Sequence, residues 1–167
     1  MKKLCLLSLL FALTACSSDE GKKLSKIYYL GALQIDIPAG ATAQIITGSK
    51  DHHVLYKYGN EKGKNYLAIS QLINGYPVDF GCDVEQMVAA IFTENKNPGC
   101  NKSAYDGFKE AYKNKADVSV VASDNATIYF SKKDKSNAFV KTSAGIVHVE
   151  SDWLDLKNYV SIDSTNI

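Results

Sequence analysis

Three histidines and a scatter of carboxylates are the residues of this chain with the most to offer chemically. His52 and His53 stand side by side after Asp51, and His148 lies far downstream in "IVHVES". Imidazoles beside acids can hold a metal ion or pass protons. Neighbours on a strand point to opposite faces, so His52 and His53 could share one ion only in a loop. Zinc sites take three or four protein ligands, and His148 could join the pair only through folding. The spacing therefore predicts exposed polar histidines, with no metal and no cofactor. Glu85, Glu94, Glu150 and Asp152 show no paired spacing of the kind that acid–base catalysis uses.

Two tripeptides, "SDN" at Ser123–Asn125 and "KTS" at Lys141–Ser143, match elements of serine acyl enzymes. Those enzymes also need S-x-x-K, which sets a lysine one helical turn from the nucleophilic serine. The chain contains no S-x-x-K and no G-x-S-x-G, so "SDN" is predicted to be a turn between strands. No catalytic residue is predicted, and the chain is expected not to be an enzyme.

A different chemistry is suggested at the start of the chain. Lys2 and Lys3 precede an apolar run from Leu4 to Leu13, too short for the roughly 20 residues of a membrane span but right for a secretory signal. The run ends in Leu13-Thr14-Ala15-Cys16, which resembles the lipobox of bacterial lipoproteins. The resemblance implies that residues 1–15 are removed and that Cys16 becomes the lipidated first residue, carrying diacylglycerol on sulfur and an acyl chain on its amine. Each buried methylene adds about 0.8 kcal/mol, and two or more chains give stable anchoring. Ser17 stands where an Asp, in enterobacterial relatives of that class, directs inner-membrane retention. The resemblance thus implies an outer-membrane anchor facing the periplasm, with the inner membrane as the alternative.

Removing residues 1–15 leaves 17 lysines against 18 acids, and the chain has no arginine. Arginine is the preferred residue for bidentate phosphate recognition, so its absence and the near-neutral charge argue against a nucleic-acid partner. Of the four cysteines, Cys82 and Cys100 remain for pairing. An even pair in an oxidising compartment is expected to form a disulfide, contributing roughly 3 kcal/mol through loop closure.

Residues 16–26 are polar and are expected to be a tether; residues 27–163 are expected to form one domain. Leu33, Ile35 and Ile37 alternate with polar residues as a half-buried strand does, and "ATAQIIT" reads as a second strand. "HHVLYKYGNEKGKNYLAISQLI" predicts a hairpin. The period then changes: Val84, Met87, Val88 and Ile91 place a helix at about 84–94, begun by Asp83 with Gln86 three residues on. Closure of the cysteine pair requires "NKNPGC" to run back along that helix, since disulfide Cα atoms lie within about 7 Å. Ser103 with Asp106 predicts the start of a second helix, its face made by Tyr105, Phe108, Ala111 and Tyr112.

Four strands follow, "DVSVVAS", "ATIYFSK", "AFVKTS" and "GIVHVES", joined by short connectors. Ser151 or Asp152 could cap a last helix carrying Trp153, Leu156, Tyr159 and Val160. The expected fold is α+β, an antiparallel sheet of about six to eight strands with two central helices and a C-terminal helix, the helices on one face. The strand into "IDIP", the "HHVLYKY…NYLAIS" hairpin, the middle helix and "AFVKTSAGIVHVES" leading to a helix together loosely resemble the Mog1/PsbP-like architecture over residues 27–163.

The functional expectation is a membrane-anchored lipoprotein that binds another protein, one concrete form being an immunity protein that neutralises a toxin delivered to the periplasm. The alternative is a housekeeping envelope factor for assembly or transport; a hydrolase or metal-dependent enzyme comes third. Loops tend to carry contacts, which points to His52, His53, Tyr76, Asp79, Phe80 and the Cys82–Cys100 loop as the partner-binding surface.

Overall fold

The computed structural model describes residues 25–29, 33–47, 53–75, 79–143 and 145–162. The lipobox with Cys16, His52 and Tyr76 lie outside these. In chain order the elements are β1 (Ser25–Tyr29), β2 (Leu33–Ile37), β3 (Ala41–Thr47), β4 (His53–Tyr58), β5 (Tyr66–Leu72), α1 (Val84–Phe92), α2 (Lys102–Tyr112), β6 (Asp117–Ala122), β7 (Ala126–Lys132), β8 (Ser136–Thr142), β9 (Gly145–Ser151) and β10 (Val160–Ile162). Seven strands form one sheet in the order β3-β4-β5-β9-β8-β7-β6, and β1-β2-β10 form a second. Every described strand pair is antiparallel. The α+β class therefore holds, with one more sheet than the sequence suggested.

The second sheet covers the face of the large sheet opposite the helices. Leu33, Ile35 and Ile37 of β2 are buried with Tyr56, Tyr58, Leu67, Ile69, Ile128, Phe130, Val140, Val147 and Val149 of the large sheet. Strand alternation produces this directly: every second residue of β4, β5, β7, β8 and β9 points at β2. The residues between them face the other way, and on β7, β8 and β9 they meet α1 and α2, where Tyr129, Phe139 and Ile146 pack with Met87, Val88, Ile91, Phe92 and Tyr105. One sheet thus serves two cores, and its central strands are covered on both faces. Among the described residues no helix is long and apolar enough to cross a membrane.

The expected C-terminal helix is corrected to a single 3-10 turn, Leu156–Asn158, followed by β10. Asp155, rather than Ser151 or Asp152, caps the turn through Lys157 N–H. The apolar spacing that suggested a helix is real, for Leu156 and Val160 are both buried. One turn followed by an extended segment buries the same residues, and β10 gains a ladder along β2 that a helix could not form. Trp153 is exposed, its ring edge-on to Tyr58.

Local signals elsewhere are closer. Asp83 caps α1 by accepting the Gln86 N–H at 2.9 Å, as the sequence indicates, and α1 ends at Phe92 rather than Glu94. The cap of α2 is Asn101, not Ser103: its Oδ1 accepts the Ser103 N–H at 3.0 Å, and Ala111 of the predicted apolar face is exposed. Strand β1 takes in Ser25 and Lys26, which the sequence assigned to the tether, and β8 begins two residues early at Ser136.

Cys82 and Cys100 are bonded, with Cα atoms 4.7 Å apart. The return segment runs back as geometry required. Gly99 has φ +95°, a region open to glycine and strained for other residues, and Asn97 brackets Cys100 by accepting its N–H at 2.7 Å and donating to its carbonyl at 3.0 Å.

Candidate functional site

Strand register aligns residues from four strands on the helix-side face. One row is His53 (β4), Ser70 (β5), His148 (β9) and Phe139 (β8). The next is Ile45 (β3), Leu55, Ala68, Glu150 and Asn137. The fold thereby places two of the three sequence-identified histidines on one face, two strands apart, or roughly 10 Å at the usual spacing. Among the described residues no group of three metal-ligating side chains is present.

Above the second row opens a cleft of roughly 330 Å³ lined by Ala111, Tyr112, Lys133, Asp134, Lys135, Asn137 and Glu150. The C-terminal turn of α2 supplies one wall, the β7–β8 turn supplies the lysines and Asp134, and the sheet supplies the floor. The floor is tightly determined. Lys135 Nζ donates to Glu150 Oε1 at 2.9 Å, the Tyr66 hydroxyl donates to the same oxygen, and Lys135 Nζ sits 5.5 Å from the centre of the Tyr66 ring.

His148 is not the exposed histidine that the spacing predicts. It lies covered beneath the end of α2, stacked on Phe139 with ring centres 4.4 Å apart and edge-on to Tyr112, because β9 sets it on the face that the helix packs against. Its Nε2 is 3.0 Å from Asn137 Oδ1. Asn137 Nδ2 donates to the Lys135 carbonyl at 3.4 Å, so the amide oxygen faces the imidazole and Nε2 carries the proton it donates. Burial pushes the His148 pKa down to about 4, the Glu150 charge opposing and the Lys135 and His53 charges adding.

For Glu150, burial is the largest influence and acts upward. The hydrogen bonds from Tyr66 and Lys135, with the charges of Lys135 and His148, together outweigh it and hold the carboxyl below its ordinary range. Lys135 is raised by its bonds to Tyr66 and Glu150; Tyr66 is raised by burial and by Glu150. At neutral pH the cluster is a neutral imidazole, a carboxylate, an ammonium and a phenol. A proton shuttle works best with a pKa near the working pH, and each of these four lies away from it. The arrangement is suited to presenting a fixed pattern of charge. His148 and Glu150 share the face but not a hydrogen bond, each being held by other partners.

Acid should therefore destabilise the fold. Between pH 6.5 and about 4 the unfolded chain binds a proton at His148 that the folded chain refuses. The His148 contribution is complete above pH 6.5 and falls as pH drops toward 4, by roughly 2–3 kcal/mol, because each tenfold loss of proton affinity on folding is worth about 1.4 kcal/mol. Glu150, depressed when folded, adds a loss beginning below its unfolded value of 4.5. Urea midpoints measured from pH 7.5 to 4.5 should fall, and a His148→Gln variant should lose most of the slope above pH 4.5.

The face is only half covered. The helix-side core takes residues from β5, β7, β8 and β9, with Val118 of β6, and none from β3 or β4 among the described residues. Ile45 is 49% exposed and Leu55, Ala68 and His53 are partly exposed. On the reverse of β3, Ile46 is 69% exposed. β3 is an edge strand without a charged residue or proline, whereas exposed edges usually carry such guards.

Of the other sequence-identified contacts, Asp79 is exposed and accepts the Gly81 N–H at 2.8 Å. Phe80 does not face a partner. It is 9% exposed, edge-on to Phe108 at 6.0 Å, and helps close the helix-side core where the disulfide ties the two helices. In the Cys82–Cys100 loop, residues 93–99 are exposed. Tyr66, Lys135 and Asn137 escaped the sequence reading; the alternation that pairs His148 with Glu150 and Asn137 with Phe139 on one face was their only signal. No protein-family model matches the chain, and neither a curated protein nor a solved structure is found similar to it.

Proposed function

We propose that the chain is a lipid-anchored protein of the bacterial envelope that binds another protein and catalyses no reaction. The anchor is Cys16, in an outer membrane and facing the periplasm. The observation that carries the binding reading is the uncovered half of the helix-side sheet face, where Ile45 and Leu55 lie in the same cross-strand row as Glu150 of the charged cleft. Exposed aliphatic residues beside fixed polar groups are the composition of a contact surface. The fixed charge states of Glu150, Lys135 and His148 fit recognition better than proton transfer. In its most specific form the reading is an immunity protein that sequesters a toxin arriving in the periplasm.

A photoreactive amino acid placed at Ile45 in the full chain, expressed in its own envelope, should give a discrete adduct with one protein. The same probe at Lys102, on the outer side of α2, should not. An Ile45→Asp substitution should reduce capture from a neighbouring probe at Leu55 by roughly tenfold, since it desolvates a charge in the contact. The absence of a position-specific adduct would overturn the reading. A deletion strain sensitive only to competitor cells supports the immunity form, and general detergent sensitivity overturns it in favour of a housekeeping role.

A further inference from the structure

We propose that the cleft between the end of α2 and the β7–β8 turn is a socket for a cationic side chain, an arginine or lysine, presented by the protein partner. The inference rests on the protein-binding reading above and names the chemistry the partner must bring.

Both cations on the walls of the cleft are already engaged. Lys135 Nζ is held by Glu150 Oε1 at 2.9 Å, and Lys133 pairs with Glu110 on α2, donating to its carbonyl at 3.5 Å and lying 3.9 Å from its carboxylate. The acceptors are not all used. Both hydrogen bonds to Glu150 fall on Oε1, so Oε2 has no protein donor among the described residues. Asp134, in the turn between the two lysines, likewise has no partner among the described residues.

The third contributor is the helix end. The Lys113 and Asn114 N–H groups both return to the Lys109 carbonyl. That leaves the carbonyl of Ala111 among the orphan acceptors of the last turn, where the helix dipole favours positive charge. A cleft whose spare capacity is carboxylate oxygen, a helix C-terminus and the ring of Tyr112 selects a donor-rich cation. A guanidinium satisfies that set best, because it offers several donors in a plane and stacks on aromatic rings. An anion would meet Asp134 and Glu150, while the two wall lysines are already held by carboxylates. The chain's own lack of arginine means that such a group must come from outside.

The test uses N-acetyl-argininamide as probe and N-acetyl-glutamate as its anionic counterpart, titrated into the purified full chain and followed by NMR at Asn137, Tyr112 and His148. The arginine probe should give saturable shifts confined to these residues and weaken as salt rises. Glu150→Gln should weaken it by roughly tenfold, the effect of a lost charge-assisted hydrogen bond. Asp134→Asn, an exposed change that leaves the Tyr66–Glu150–Lys135 cluster intact, should weaken it by about threefold. Equal or tighter binding of the glutamate probe, shifts scattered over the surface, or indifference to both substitutions would overturn the socket. An adduct at Ile45 together with a silent cleft would refute the socket alone; loss of the adduct would refute the binding reading itself.

Discussion

Replacing Phe139 with alanine is expected to destabilise the fold by about 3–5 kcal/mol, the range for emptying a buried aromatic site. Phe139 is 1% exposed and is the meeting point of the helix layer and the sheet. Its ring lies 5.5 Å from Phe92 of α1, 5.2 Å from Phe108 and 5.0 Å from Tyr112 of α2, and 4.4 Å from His148 of β9. Both helices rest on it, so its loss leaves a cavity that neither can close without leaving the other. The variant carries a second readout. With the stacked ring gone, water reaches His148, and its pKa should climb from about 4 back toward 6.5. Urea unfolding and an NMR titration of the imidazole measure the two effects on one sample. Phe139→Leu, which keeps most of the volume, should lose under half as much stability. Unchanged stability in the alanine variant would mean that the helices are not seated on this residue.

Breaking the Cys82–Cys100 bond is the next largest expected loss, roughly 3 kcal/mol for a loop of this size in the chain-entropy model, against a sequence separation of 18. Cys82 precedes α1 and Cys100 precedes α2, so the bond ties the N-terminal ends of both helices at one point. Beside it the Asn101 N–H donates to the Phe80 carbonyl at 2.7 Å, and Asn97 brackets Cys100. These hydrogen bonds survive reduction, which makes the expected cost one of stability rather than of structure. A Cys82→Ala/Cys100→Ala double variant should keep the far-ultraviolet dichroism of the parent and unfold at lower urea. Reduction of the parent by dithiothreitol should reproduce the shift, and leave the double variant unmoved. Equal midpoints for oxidised and reduced protein would contradict the expectation.

Local chemistry was legible wherever a residue acts on its neighbours in the chain. Asp83 reaches only to Gln86, so its cap could be read from spacing. The β4–β5 hairpin and the turn at Ser123–Asn125 follow from turn residues between apolar runs, and alternation marked Leu33, Ile35 and Ile37 as one buried face. What alternation does not say is which partner covers a face. β2 pairs with β1 and β10 instead of joining the large sheet, and β10 comes from a segment whose apolar spacing suits a helix equally well. Only the vacancy alongside β2 resolves that ambiguity, and it is created by chain far away in sequence.

The candidate site shows the same division. His53, His148 and the acids could be picked out by type, but their neighbourhood could not. The cleft joins Tyr112, Lys133, Asp134, Lys135, Asn137 and Glu150, with Tyr66 bonded to Glu150 from 84 positions away, and their union depends on the register of β5 against β9 and of β9 against β8. Phe80 illustrates the reverse error, since an aromatic residue in a loop looks available until two helices close over it.

Sequence alone determined the strand and helix periods, the helix cap at Asp83, the pairing of the two cysteines and the α+β class, because each depends on contacts within a few residues or on simple parity. Tertiary structure alone decided that the sheet has two covered faces, that the described chain ends in a strand, and that a carboxylate, an ammonium and a neutral imidazole share one neighbourhood. Those outcomes rest on pairing between distant segments, where the free energy is set by which surfaces are left to cover, and no short window of residues carries that information.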